Sequence, residues 1–235
     1  PITGEQKSLV YDPASEVNLK FKVTNHAETA QQAELGVDVS TFDDKAVRNK
    51  STAPATLPAG QSRTLSVNLG RIPEGFYRLT FLPTDKSYPL AVHERGTVTH
   101  DELKKPKIMT GVYWYYFGWK GLPEVWWNTY VHAASHDLRK HNFNTVIAAI
   151  GMPTDSIEII GQYGIRCFVR GTGADGNVAH PNVIGGFIGD EPHKGQEKKY
   201  LQHYKKAIEK YPDKEFTTCM IGDGGVEGCQ KFWDA

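Results

Sequence analysis

The 235-residue chain carries 27 Lys plus Arg against 27 Asp plus Glu, so its formal net charge is zero. A neutral balance offers no basic stripe for nucleic acid and no field for an anionic membrane surface, which removes both as expected partners. No apolar run reaches the roughly 18 residues of a membrane span, and the opening Pro1-Ile2-Thr3-Gly4 lacks the basic and apolar pattern of a leader. A soluble, already processed chain is therefore expected.

From Val17 to Val92 short alternating runs are separated by turn residues. Val17-Asn18-Leu19-Lys20-Phe21-Lys22-Val23 alternates strictly, which puts the four apolar residues on one strand face. Ala33 to Phe42 predicts a second strand region. Leu57-Pro58-Ala59-Gly60 is a turn, Ser62 to Leu69 a further alternating run, and Gly75 to Phe81 the last clear member. Strands at this spacing without helical period predict an antiparallel sandwich over residues 1–95. Residues 96–108, with His100, Asp101, Glu102, Lys104, Lys105 and Lys107 and no apolar period, read as a linker.

After residue 108 the period switches. Thr110 to Phe117 is a continuous apolar and aromatic run, as a strand buried on both faces requires. Pro123 to Lys140 shows helical spacing, with Val125, Tyr130, Val131, Ala134 and Leu138 as one stripe. Strand-like runs follow at 144–150, 165–170, 183–189 and 216–221; helical ones at 156–163, 195–211 and 225–233. Strand alternating with helix predicts a parallel sheet, since each return needs a crossover. About five such units fit the opening of an eight-stranded barrel. A whole barrel takes about 250 residues, so the stretch from Met109 to Ala235 is expected to be its first part and the chain an N-terminal fragment. An open doubly wound sheet, complete as it stands, is the alternative.

Within the strand at 183–189 the sequence Gly185-Gly186-Phe187-Ile188-Gly189-Asp190-Glu191-Pro192 stops at two adjacent carboxylates. Glycosidic cleavage needs a proton delivered to the leaving oxygen, and a carboxyl group at the open end of a strand is placed to deliver it. Glu191 is the candidate acid/base. An ionised Asp190 beside it would raise its pKa toward neutrality. The competing reading makes Asp190-Glu191-Pro192 the cap of the next helix.

Aromatic walls and a few polar groups are what sugar pockets use, and Tyr115, Tyr116, Phe117 and Trp119 lie at or past the end of the first strand of this region. Tyr115, Tyr116 and Trp119 are thus candidate substrate contacts, with Arg170 ending the third strand, His193, and Asp223 after the fifth. Trp126 and Trp127, on a helix, are expected in the core. Gly171 to Gly176 has neither phosphate-loop pattern. His132, His136 and His141 share a helix, but Ala133 stands where a zinc motif needs Glu. Neither metal nor cofactor is expected there. Cys167, Cys219 and Cys229 show no ligand spacing and read as buried or surface thiols.

The segment Phe187-Ile188-Gly189-Asp190-Glu191-Pro192 resembles the end of the fourth barrel strand in clan A glycoside hydrolases. The 1–95 region, through Leu57-Pro58-Ala59-Gly60 and Gly75-Phe76-Tyr77-Arg78-Leu79, resembles the immunoglobulin-like modules that precede such barrels. The resemblance implies a glycosidase acting on a neutral or N-acetylated oligo- or polysaccharide, in an extracellular or periplasmic setting, without cofactor. The clan pattern has Asn before the Glu, whereas Asp190 stands here. An Asp-Glu pair is similar instead to families that use the substrate's own acetamido group, the Asp orienting it and the Glu protonating the leaving group. The two-carboxylate route would place the nucleophile on a seventh strand, beyond residue 235. The chain by itself is expected to be inactive, since an unclosed sheet leaves an edge exposed. A non-catalytic glycan- or protein-binding surface protein with a degenerate barrel is the rival reading, and nothing in the sequence sets an oligomeric state.

Overall fold

The computed structural model describes residues 7–82, 84, 86–103, 106–114, 122–148, 152–170, 177–190 and 196–219, with backbone alone at 113, 114, 189, 190, 197, 218 and 219. The chain divides into two compact units, Pro1–Arg95 with Gly121–His136, and Gly96–Lys120 with Asp137–Ala235.

In the first unit, β1 (Val10–Tyr11), β4 (Gly36–Ser40), β5 (Ala46–Ser51), β8 (Gly75–Leu82) and β9 (Lys86–Val92) form a sheet in the order β1-β9-β8-β4-β5. The β1 and β9 pair is parallel and the other pairs are antiparallel. A second sheet pairs β2 (Asn18–Thr24) with β7 (Ser62–Asn68), and β3 (Gln31–Ala33) pairs with β6 (Ala55–Leu57). Alternation decides which face is buried: Leu19 and Phe21 on β2, Leu65 and Val67 on β7, and Tyr77, Leu79 and Phe81 on β8 point inward. Leu19, Phe21 and Val67 of the smaller sheet share one core with Val37, Val39, Leu79 and Leu90 of the larger, so the two sheets pack face to face. Each such side chain contributes roughly 1.5–3 kcal/mol by leaving water. Phe81 joins the layers through an edge contact with Phe21 of the smaller sheet at 4.8 Å and meets Tyr88 of its own sheet at 5.5 Å. The expected run 33–42 is two strands, β3 and β4. Edge strand β5, almost wholly exposed, shows no apolar alternation to mark it.

Helix α1 (Glu124–Lys140) opens in this unit, where Val125 joins the core. The Leu9 amide donates to Thr129 Oγ1 at 2.6 Å, and that hydroxyl donates to the Val125 carbonyl at 2.6 Å. The buried face of α1 differs from the apolar stripe expected: Asn128, Thr129, His132 and Ser135 are buried, whereas Ala134 and Leu138 are half-exposed. Trp127 is buried and Trp126 packs against the core, both beside Tyr130.

The second unit holds five parallel strands: β10 (Gly111–Trp114), β11 (Thr145–Ala148), β12 (Arg166–Arg170), β13 (Val183–Asp190) and β14 (Glu215–Cys219). They lie side by side in sequence order. A doubly wound sheet reverses its order at a switch point; among the described strands there is no reversal. Helices α2 (Thr154–Gln162) and α3 (Glu197–Lys210) provide crossovers. Ile157, Ile160, Val146, Cys167, Val169 and Val183 are buried, as strands covered by helices require. The polar stretch after residue 95 is held, not free. Val98 N–H donates to the Gln162 carbonyl at 2.9 Å, and Gly96 lies so close that a Cβ would overlap that carbonyl. Glu102 Oε2 closes the 3-10 turn His100–Glu102 by accepting from the Thr99 N–H at 2.8 Å and hydroxyl at 2.7 Å.

Candidate active site

The five strands end at Trp114, Ala148, Arg170, Asp190 and Cys219, all at the carboxyl edge of one parallel sheet, where open and closed α/β sheets place their ligands. Strand β13 reaches furthest past β12: Arg170 pairs with Phe187, so Asp190 stands three positions further on, roughly 10 Å at about 3.3 Å per residue. On its other side Asp190 pairs with Cys219.

The glycines of this strand have a local cause. Gly185 meets β14 so closely that a Cβ would overlap the Glu215 carbonyl, and no other residue fits. The β13/β14 register then slips between Phe187 and Gly189, leaving Ile188 as an extra residue. A second slip against β12 falls between Cys167 and Phe168, opposite Ile184. A bulge bends a strand and re-aims the residues after it. The Ile188 bulge acts two residues before Asp190.

The helix-cap reading of Asp190 and Glu191 meets a plain difficulty. Helix α3 has Gln196, six positions past Asp190 in sequence, as its N-cap and starts at Glu197. Arg170 is exposed at the end of β12. Glu191, Tyr115, Tyr116, Trp119, His193 and Asp223 lie outside the described residues, as do the glycines 171–176 and the 225–233 run, and of Asp190 the backbone alone is described.

The cavities among the described residues lie elsewhere. One of about 390 Å³ is lined by Gly111, Thr145 and Glu215, the first residues of β10, β11 and β14, and by Phe168 and Phe216. It belongs to the amino end of the sheet, opposite Asp190. A second, about 420 Å³, is bounded by Thr97, Thr99, His100, Glu158 and Gln162.

Two histidine groupings escaped sequence reasoning. In the first unit His93 stacks on His136 at 4.3 Å, and His132, buried, is pushed down to about 3 by burial and then by the Arg95 and His93 charges. In the second, His100, Glu158 and His180 converge within 4.8 Å. Local spacing shows only that His132 and His136 share α1; His93, and all three members of the second grouping, come from segments tens of residues apart. Cys167 is a buried thiol pushed up to about 12 by burial.

No protein-family model matches the chain, and no curated protein does. Among solved structures it is similar to a β-glucuronidase of glycoside hydrolase family 2, at 12% identity and a TM-score of 0.34 over 84% of this chain and 21% of that one. Bacteroides uniformis β-glucuronidase 2 matches at 13% identity and TM-score 0.36, over 91% and 32% of the two chains. A glycosyl hydrolase family 2 member from Bacteroides cellulosilyticus matches at 14% and 0.37, over 93% and 35%. The chain spans about a fifth to a third of these proteins. At such scores the likeness decides neither topology nor chemistry.

Proposed function

We propose that this chain is the amino-terminal part of a glycosidase in which Glu191 protonates the leaving oxygen and Asp190 acts beside it. The first 95 residues form an immunoglobulin-like module on this reading, and the parallel sheet is the opening of a (β/α)8 barrel. A neutral or N-acetylated saccharide is the substrate, met outside the cytoplasm, with Tyr115, Tyr116, Trp119, Arg170, His193 and Asp223 toward it. The observation that supports this most is that Asp190 stands at the carboxyl edge of five sequentially ordered parallel strands, three positions past the end of β12 and level with Cys219 of β14, with a bulge two residues before it. The start of α3 at Glu197, several residues beyond Pro192 in sequence, adds support.

In this arrangement the strand ends set the geometry and the pair sets the protonation. Adjacent carboxyls in a partly dry pocket do not both ionise easily, so one keeps a proton near neutral pH. With an N-acetylated substrate, Asp190 would hold the acetamide while its oxygen attacks the anomeric carbon and Glu191 gives up its proton. With other sugars a second carboxylate is required.

The test uses the full-length gene product on aryl glycosides, N-acetylhexosaminides included. Glu191→Gln is expected to lower kcat by roughly 10²–10⁴-fold on poor leaving groups. The loss shrinks on dinitrophenyl glycosides, which leave without a proton. An equal loss on both, or wild-type protein that binds glycans and cleaves none, defeats the reading.

A further inference from the structure

The amino end of β13 carries a site of a different kind. Asn182, fully buried, donates from Nδ2 to the Ile157 carbonyl at 2.9 Å, which fixes the amide's orientation and leaves Oδ1 as an acceptor. His100 Nδ1 lies 2.8 Å from that oxygen and must carry the proton. In the neutral ring, Nε2 then presents its lone pair to Glu158 Oε2, 2.8 Å away. Two lone pairs at this distance repel, so a positive particle belongs between them. On the other carboxylate oxygen, His180 Nε2 stands at 2.8 Å.

We propose that His100, Glu158 and His180 form a binding site for a divalent transition metal of the zinc class. Two imidazoles and one carboxylate are the donor set that zinc favours and that calcium and magnesium do not. The Nδ1–H···Oδ1 bond from His100 to Asn182 is the outer contact that fixes a metal-bound imidazole. Tetrahedral ligands at about 2.1 Å stand about 3.4 Å apart, so the observed 2.8 Å separations open by about 0.6 Å. The cavity of about 420 Å³ beside His100 and Glu158 leaves room for a water in the fourth position.

The three ligands are not equivalent. Asn182 N–H donates to His180 Nδ1 at 3.1 Å, so the His180 proton sits on Nε2, and ligation requires the ring to give up that bond. His100 is preset for a metal and His180 is not. The cations nearby are engaged with carbonyls: Lys214 donates to the His180 and Val183 carbonyls, Arg166 to that of Pro181. Eight residues of β13 separate this site from the Asp190 edge, roughly 23 Å along the strand. Its role is a clip that fastens the 96–103 segment to α2 and to the entry of β13.

The full chain, stripped with chelator, is titrated with zinc chloride by calorimetry and followed by thermal unfolding. Binding of one zinc with a rise in Tm of several degrees is expected, together with a tetrahedral visible spectrum for cobalt(II). His100→Ala weakens binding at least 30-fold, His180→Ala less than 10-fold, and His203→Ala, on exposed α3, not at all. Glu158→Gln is the sharpest arm: its amide can donate to His100 Nε2, so the metal-free protein keeps its Tm while the zinc effect vanishes. The proposal is overturned if saturating zinc neither binds nor shifts Tm, if His100→Ala binds zinc as wild type does, or if cobalt gives only an octahedral spectrum. A doubly protonated His100 in zinc-treated protein, seen by nitrogen NMR, also overturns it, since a proton is then the occupant.

Discussion

His132 sits 4% exposed in the first unit, with its ring driven toward the neutral form by burial and by Arg95, while His100 in the second is half-exposed and faces a carboxylate. Both groupings bring imidazoles together on ordered elements. The first excludes positive charge and the second calls for it. Proximity of histidines therefore says little by itself; what surrounds the ring nitrogens decides whether a cluster repels a proton or holds a cation. His93 follows His132: burial first, then the His136 and Arg95 charges, lower its pKa, against the opposing pull of the Glu94 carbonyl and the Glu74 charge.

The contrast breaks most visibly in acid. The folded pKa of His132, about 3, lies below the 6.5 of the unfolded ring, so the unfolded chain takes up a proton first. Stability of the first unit is complete above pH 6.5 and is lost as pH falls toward 3. Each pH unit removes up to about 1.4 kcal/mol, on the order of 4 kcal/mol over the window. Between pH 6.5 and about 5.5 ordinary carboxylates remain ionised, so urea midpoints there report chiefly the histidines. His132→Leu is expected to flatten the slope. A wild-type midpoint that holds from pH 7 to 5 would dismiss the reading of a charge-excluding cluster.

The second grouping breaks through its scaffold. Asn182 reaches Ile157, His100 and His180 only because Gly161 has no side chain, since a Cβ there would overlap the Asn182 amide. Gly161 is buried and Asn182 wholly so, so neither can move aside. Gly161→Ala should destabilise by about 3 kcal/mol, from overpacking and a stranded Ile157 carbonyl. It should also release the 96–103 segment to hydrogen exchange. Slow exchange at the Val98 amide in this variant would show that the segment is held without Asn182.

How much of this was legible follows from the range of each signal. Alternation at Val17–Val23 announced β2 because a strand face is written in neighbouring residues, and the switch to strand-helix alternation near residue 108 announced the parallel sheet. Strand β5 is an exposed edge, so burial imposed no pattern on it. The face of α1 misled because polar Thr129, bonded to Leu9 and Val125, and His132 occupy its buried side, which apolar period does not register. At the candidate active site, the strand end at Asp190 was readable from Gly189-Asp190-Glu191-Pro192. The Ile188 bulge was not, since a register slip depends on the partner strand. Nor was the His100, Glu158 and His180 convergence, whose members sit in a presumed linker, a helix and a loop.

The smallest effect separates two glycines that look alike in sequence. Gly161 and Gly164 both close α2, yet Gly161 is needed for space and Gly164, at φ 73°, for backbone. A Cβ on Gly164 would meet only Val98 Cγ2, at 3.7 Å, an ordinary contact. Gly164→Ala is therefore expected to cost about 1 kcal/mol, the strain of a left-handed alanine, and Gly164→Asn less, because Asn tolerates that region. At Gly161 the order reverses, for Asn is bulkier than Ala and the demand is for room. Midpoints from urea unfolding of the four variants give the answer directly: Asn milder than Ala at 164, harsher at 161. The same ranking at both positions would mean that the Asn182 socket can yield, and with it the fixed orientation of His100.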